Sequence, residues 1–171
     1  MADTAALHQL YRDYYHSPDI DAKAHFFAFD CKQVCRSRPD YAACDKAAIV
    51  RLMQETPSLS ALTGAEPSTE KPKSFATIRA LSPSECSFAD NDATVQAAGF
   101  TSAAALHEYA TRNNWVGLRV DLWDEDDKKE GSLLKVHYWW AFRFGQWVQV
   151  LHDILYIGPL DGSQGEGGQH I

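Results

Sequence analysis

Residues Trp115–Ile157 read WVGLRVDLWDEDDKKEGSLLKVHYWWAFRFGQWVQVLHDILYI, and the alternation in this stretch decides the fold. Over Trp115–Trp123, Val116, Leu118, Val120 and Leu122 share one face of a strand, and Gly117, Arg119 and Asp121 share the other. Asp124–Gly131 reads as a charged hairpin loop, Leu133–Phe144 as a long second strand, and Gly145-Gln146 as a tight turn. Trp147–Ile157 is the third strand, ended by Gly158-Pro159. Strands joined this closely pair antiparallel. All five tryptophans (Trp115, Trp123, Trp139, Trp140 and Trp147) fall here, so the core and the lining of any cavity are expected in this third of the chain.

Upstream, Leu7, Leu10, Tyr11 and Tyr14 keep helical spacing over residues 3–16, and Pro18 stops that helix. A short helix is expected over Ile20–Phe29 and a short strand over Cys31–Arg36. Asp45 caps a helix over Lys46–Glu55. Residues 57–73, with Pro57, Pro67 and Pro72, read as a long loop or lid. Phe75–Leu81 reads as a strand, Glu85–Phe88 as a short returning strand, and Thr101–Asn113 as a helix. The glycine-rich residues 161–171 read as a flexible tail. Helices segregated to one side of a bent, mostly antiparallel sheet make an α+β layer architecture, and 171 residues fit a single domain over 1–160.

A formal charge of −7 argues against nucleic acid and against an anionic membrane surface as partners. No basic-then-apolar leader opens the sequence, and no apolar run approaches the ~18 residues of a membrane span, so a cytoplasmic protein is expected. Cys31, Cys35 and Cys44 lack the paired knuckles of a zinc site, and with Cys86 they are expected to be free thiols, with no metal bound.

Three charged residues stand out. Arg119 and Asp121 share a strand face with Trp115 and Trp123, which seek burial. The reading is either a rim ion pair or a charge pair inside a cavity. A two-residue turn at Gly145-Gln146 would set Asp153 opposite Tyr138 and Leu151 opposite Trp140, surrounding a carboxylate with aromatic neighbours. An arginine fork at Arg119 would then bridge Asp121 and Asp153. In this register His137 and His152 face away from Asp153, and a one-residue shift of the turn would make His137 and Asp153 neighbours.

The order of elements, with Phe27-Ala28-Phe29-Asp30 leading into the first strand, resembles the cone-shaped ketosteroid-isomerase-like superfamily. That group includes nuclear transport factor two, scytalone dehydratase and the SnoaL-like polyketide cyclases. Leu118-Arg119-Val120-Asp121-Leu122, with Asp153 further on, is similar to the R-x-D…D pattern of limonene-epoxide hydrolases. The resemblance implies a cone-shaped curved sheet wrapped on N-terminal helices, with residues 85–114 as a helical insertion. It implies a cofactor-independent acid/base enzyme that opens an epoxide, cyclises or isomerises a hydrophobic small molecule, as in secondary metabolism. Asp121 would be the general acid, Asp153 the general base and Arg119 their orienter. Tyr14, Gln33, Trp115, Tyr138 and Trp140 would contact the substrate. Gln33 and Cys35 stand where the hydrolases carry Tyr and Asn. A dehydratase or aldol-type cyclase using His137 or Tyr14, and a non-catalytic binding or dimerisation module, are the rival readings. A homodimer is the superfamily's default.

Overall fold

The computed structural model describes residues 4–65 and 72–171. The elements run α1 (Thr4–Tyr15), α2 (Ile20–Ala24), β1 (Phe27–Cys35), α3 (Lys46–Glu55), α4 (Leu59–Thr63), β2 (Lys73–Ala80), α5 (Asp92–Gln96) and α6 (Ala103–Arg112). They continue with β3 (Val116–Glu125), β4 (Gly131–Arg143), β5 (Gln146–Pro159) and β6 (Gln169–His170). The strands form one curved, unclosed sheet in the order β1-β5-β4-β3-β2-β6, and only the β1–β5 pair is parallel. The α+β architecture read from the sequence is the one observed.

The helices begin where side chains satisfy their free N–H groups. Asp19 accepts from Ala22, Asp45 from Ala48, Asn91 from Thr94 and Ser102 from Ala105. The second helix is shorter than its aromatic run suggested. It ends at Ala24, and Phe27 already belongs to β1, because pairing with β5 recruits these strand-favouring residues. Within β1 the register slips between Phe27 and Lys32, and the surplus chain throws Phe29 out to 80% exposure. Part of the expected 57–73 loop is the helix α4, while residues 66–71 lie outside the described residues. Glu85–Phe88 is not a strand. A 3-10 turn over Pro83–Glu85 occupies its start.

The hairpin that joins β4 and β5 corrects the expected register. Its two turn residues are Phe144 and Gly145, both with positive φ (52° and 84°), and Arg143 pairs with Gln146. Two left-handed residues match the right-handed twist of the flanking strands, so the turn sits one residue earlier than Gly145-Gln146. A bulge at Val150 then shifts the pairing once more. Tyr138 therefore lies opposite His152, and His137 opposite Asp153.

Two layers cover the sheet. On the inner face, Leu118, Val120, Val136, Tyr138 and Trp140 pack under Leu7, Tyr11 and Tyr14 of α1, with the Tyr11 and Tyr138 rings 5.0 Å apart. Leu118 and Val120 of this face are buried within the chain on the side where α1 and α4 lie, and the 101–113 helix is on the other side. That helix lies on the outer face with Leu81 and Phe88. Phe88 packs on Trp139 at 4.7 Å and Tyr109 on Trp115 at 5.6 Å. A Cβ at Gly117 would meet Leu81 Cδ1 at 2.2 Å, so this layer closes directly on the sheet. Each large apolar side chain sealed between these layers contributes roughly 1.5–3 kcal/mol.

The tail is not loose in the structure. Phe75 pairs with His170 and Ala76 with Gln169, Gly165 N donates to Asp121 Oδ2 at 3.2 Å, and Gly168 leaves no room for a Cβ beside the Trp123 ring. Its glycines are what let the backbone approach this closely. Among the described residues, no helix is long and apolar enough to cross a membrane.

Phe144 is fully exposed and holds a left-handed conformation that costs a side-chain-bearing residue about 1–2 kcal/mol. Phe144→Asn should therefore raise stability by about 1 kcal/mol, read as a gain of about 2–4 °C in thermal midpoint. A lower midpoint would mean that the ring, and not the turn, stabilises the hairpin.

Candidate functional site

The inner face carries a cavity of about 430 Å³ between α1, α3, α4 and the sheet. Strand alternation supplies its floor. Val136 and Tyr138 come from β4, His152 and Ile154 from β5, and Gln33 from β1, where it pairs with His152. Tyr11, Tyr14 and Tyr15 hang into it from α1, one helical turn apart.

The polar groups of this floor converge. The rings of Tyr11 and Tyr14 both pack against that of Tyr138, with centroids 5.0 and 5.9 Å from it. Burial pushes the Tyr138 hydroxyl up to about 12, while the two neighbouring phenols pull the other way. Burial also raises Tyr11 and Tyr14 well above the usual phenol value, followed by the influence of Tyr138. All three stay protonated at neutral pH, so the cluster is a set of donors. Tyr138 lies at its centre, against both neighbouring rings, with a protonated hydroxyl that can donate.

His152 stands beside it, with rings 5.1 Å apart. Burial lowers its pKa to about 3, so the imidazole is neutral. Its Nε2 lies 2.7 Å from Gln149 Oε1 and its Nδ1 3.3 Å from Gln33 Oε1, so the single N–H of the neutral ring donates to one of these oxygens and the other ring nitrogen is left without a donor. Gln33 cannot turn away, because its amide nitrogen donates to the Tyr41 carbonyl at 2.8 Å. A donor on one side and acceptors on the other therefore face a largely apolar cavity. At the other end of the cavity, Asp124 accepts from Ser74 Oγ at 2.6 Å. Asp124 reads as hairpin loop in the sequence, yet it continues the alternation of Leu118, Val120 and Leu122. That period is the signal that placed it on the inner face.

Arg119, Asp121 and Asp153 lie on the outer face. Arg79, Arg119, His137 and Asp153 form one cross-strand row over β2, β3, β4 and β5. Arg119 donates to Asp121 and, at 3.4 Å, to His137 Nε2, but it does not bridge to Asp153. Asp153 is fully buried and takes both its bonds from Arg36, through Nε at 3.0 Å and Nη2 at 2.7 Å. Burial raises its pKa and the Arg36 bonds oppose that rise. Arg36 also donates to Ser87 O at 2.8 Å, and Glu85 takes two bonds from Arg79 at 2.7 and 2.6 Å. The row thus ties residues 82–87 to the sheet. The expected Asp–Arg–Asp bridge fails because the turn and the Val150 bulge bring His137, not Tyr138, beside Asp153.

His137 is buried in this row. Burial first, then Arg119 and Arg36, lower its pKa to about 3, and its Nδ1 has no partner among the described residues. Arg119 and Asp121 also edge a polar groove of about 530 Å³ between α1, β2 and the tail. Of the remaining sequence candidates, Tyr14, Gln33 and Tyr138 meet in the inner cavity. Trp140 is sealed in the core, and Trp115 lines a separate outer cavity. Among the described residues, no group of three or more His, Cys, Asp or Glu is arranged to hold a metal ion.

A family model described as a SnoaL-like domain matches residues 1–171. No curated protein matches the chain. One similar solved structure is a putative calcium/calmodulin dependent protein kinase II association domain from Xanthomonas campestris. It is 10% identical with a TM-score of 0.47, over 94% of this chain and 89% of that one. Another is a hexachlorocyclohexane dehydrochlorinase (LinA) Type2, 13% identical with a TM-score of 0.43, over 95% of this chain and 96% of that one. Both likenesses are loose, and no activity of either protein is carried to this chain.

Two predictions follow from the buried charges. Arg36→Ala leaves Asp153 buried without its partner and should cost about 3–5 kcal/mol in denaturant unfolding. Arg119→Gln, at the half-open end of the row, should cost less. His137 and His152 have folded pKa values near 3 against an unfolded value near 6.5, so below pH 6.5 the unfolded chain binds more protons. Their contribution to stability is complete above pH 6.5 and is lost as the pH falls towards 3. Asp153, whose pKa is raised, acts in the opposite sense, which makes the difference between wild type and variant the proper reading. His137→Gln should flatten the loss of unfolding free energy below pH 6.5, and an unchanged slope would refute the assignment.

Proposed function

This chain belongs to the SnoaL-like domain family, and from that membership and its inner cavity we propose that it binds a small, largely apolar molecule and acts on it by proton transfer. The observation that carries this reading is the convergence of Tyr11 and Tyr14 on Tyr138 beside a neutral His152, at the floor of an apolar cavity. Tyr138 donates to an oxygen of the ligand as negative charge develops there, and the packed rings of Tyr11 and Tyr14 hold it in place. The His152 imidazole receives the proton that leaves, and the imidazolium so formed donates to both Gln149 Oε1 and Gln33 Oε1. Enolisation, isomerisation and aldol-type cyclisation all place charge on one oxygen in this way. Protein groups supply every step named here.

The reading departs from epoxide opening by Asp121, Asp153 and Arg119. It places the work on the opposite face of the sheet, where the cavity lies. Tyr14, the donor of the dehydratase and cyclase alternative, packs here against Tyr138.

The test uses 2-naphthol, an apolar bicycle whose hydroxyl stands for the developing oxyanion. It should bind wild type saturably by fluorescence, and Tyr138→Phe should weaken binding about tenfold or more, or about 1.4 kcal/mol. A cyclic ketone should exchange its α-protons for deuterium faster with wild type, and that acceleration should fall about 100-fold in Tyr138→Phe. Equal naphthol affinity in Tyr138→Phe would overturn the site. Tight naphthol binding with no exchange would leave a binding module.

A further inference from the structure

A second cavity, of about 290 Å³, lies on the outer face between α6, the Gly99–Thr101 loop and strands β1, β4 and β5. It shares no residue with the inner cavity. The register shows why. Gln33 pairs with His152 and Lys32 with Leu151, so the two neighbours on β1 point to opposite faces. Residues 85–114, the insertion marked out by the sequence, supply one wall of it through Phe100, Leu106 and Tyr109. Trp115, at the entry to β3, supplies another.

Its walls are aromatic and its cations are held at the edge. Tyr109 packs edge-on against Trp115 at 5.6 Å, although Tyr109 remains 45% exposed. Lys32 Nζ donates to the Cys44 and Ala98 carbonyls at 2.9 and 3.1 Å and lies 5.5 Å from the Phe100 ring centre, which leaves one of its three N–H groups. Arg143 Nη1 donates to Asp30 at 2.6 Å, and its Nε and Nη2 have no protein partner among the described residues. The three charges, Lys32, Arg143 and Asp30, leave one positive charge in excess at this cavity, on a chain whose formal charge is −7. The Trp115 indole N–H is closed to solvent and also has no partner among the described residues.

We propose that this outer cavity binds a small aromatic monocarboxylate, with the ring between Tyr109, Trp115 and Phe100 and the carboxylate facing the free edge of Arg143 and the remaining N–H of Lys32. The volume is at the small end for ligand cavities, which favours one or two fused rings. A planar carboxylate matches the fork that Arg143 presents. A phosphate ester with two charges meets Asp30 and only a single excess positive charge, so it is the poorer fit.

The proposal is independent of the inner site. The probe is 2-naphthoate, with 2-naphthamide as its neutral counterpart, added to uniformly 15N-labelled protein. The indole N–H resonance of Trp115 is identified by its loss in Trp115→Phe. Naphthoate should move that resonance saturably, with the amide at least tenfold weaker. Arg143→Gln should remove the preference for the carboxylate. Tyr109→Ala, a change at a half-exposed position, should weaken both probes, and its folding is checked by the other four indole signals. Tyr138→Phe, which alters the inner cavity, should leave the titration unchanged. The proposal is overturned if naphthoate at millimolar concentration leaves the Trp115 resonance unmoved. Equal affinity for the amide overturns it too, as does loss of the shift in Tyr138→Phe.

Discussion

The register of the β4–β5 hairpin is the constraint on which the rest depends. Two residues with positive φ, Phe144 and Gly145, start the pairing, and one bulged residue, Val150, resets it before the functional stretch begins. Strand side chains alternate with period two, so moving the turn by one position shifts the pairing by two and keeps the faces, while the single bulged residue exchanges them. With this register Tyr138 and His152 meet under α1, and His137 and Asp153 meet under residues 82–87. Without the bulge, Asp153 would share the face of Tyr138 and stand in the cavity.

The sheet therefore separates two kinds of polar chemistry. The floor of the inner cavity holds neutral groups, three phenols and an imidazole, while Lys23 and Asp124 stand at its edge, where Lys23 donates to the Tyr15 carbonyl and Asp124 accepts from Ser74. The outer face holds the paired ions. There Arg36 and Asp153 are paired through two bonds, and Arg79, Glu85, Arg119 and Asp121 form a chain that opens gradually towards solvent. Buried ions persist only when each has a partner, and residues 82–87 supply carbonyl and carboxylate partners at this point. The insertion that contributes them also roofs the aromatic cavity around Trp115.

Much of the fold was legible in particular residues. The alternation of Val116, Leu118, Val120 and Leu122 placed β3 and its buried face, and Asp45 marked the start of α3. Tyr14, Gln33 and Tyr138 were singled out, and they share one cavity. His152 was passed over because a lone histidine on a strand is usually structural, and Asp124 because it begins a run of charges. The pairing of Arg36 with Asp153 left no trace in sequence, since 117 positions separate the two residues.

The sequence by itself determined the longer elements, α1, α3, α6 and β2 to β5, their order and the resemblance to the SnoaL-like family, because hydrophobic period and capping are local properties. Only the tertiary structure decided which face of each strand looks into the cavity. That choice rests on a bulge, a matter of one residue, and no periodicity records a shift that leaves the alternation on both sides intact. It also decided what covers each face, α1 the inner one and residues 85–114 the outer one, because amphipathic helices fit either apolar surface and only packing assigns them.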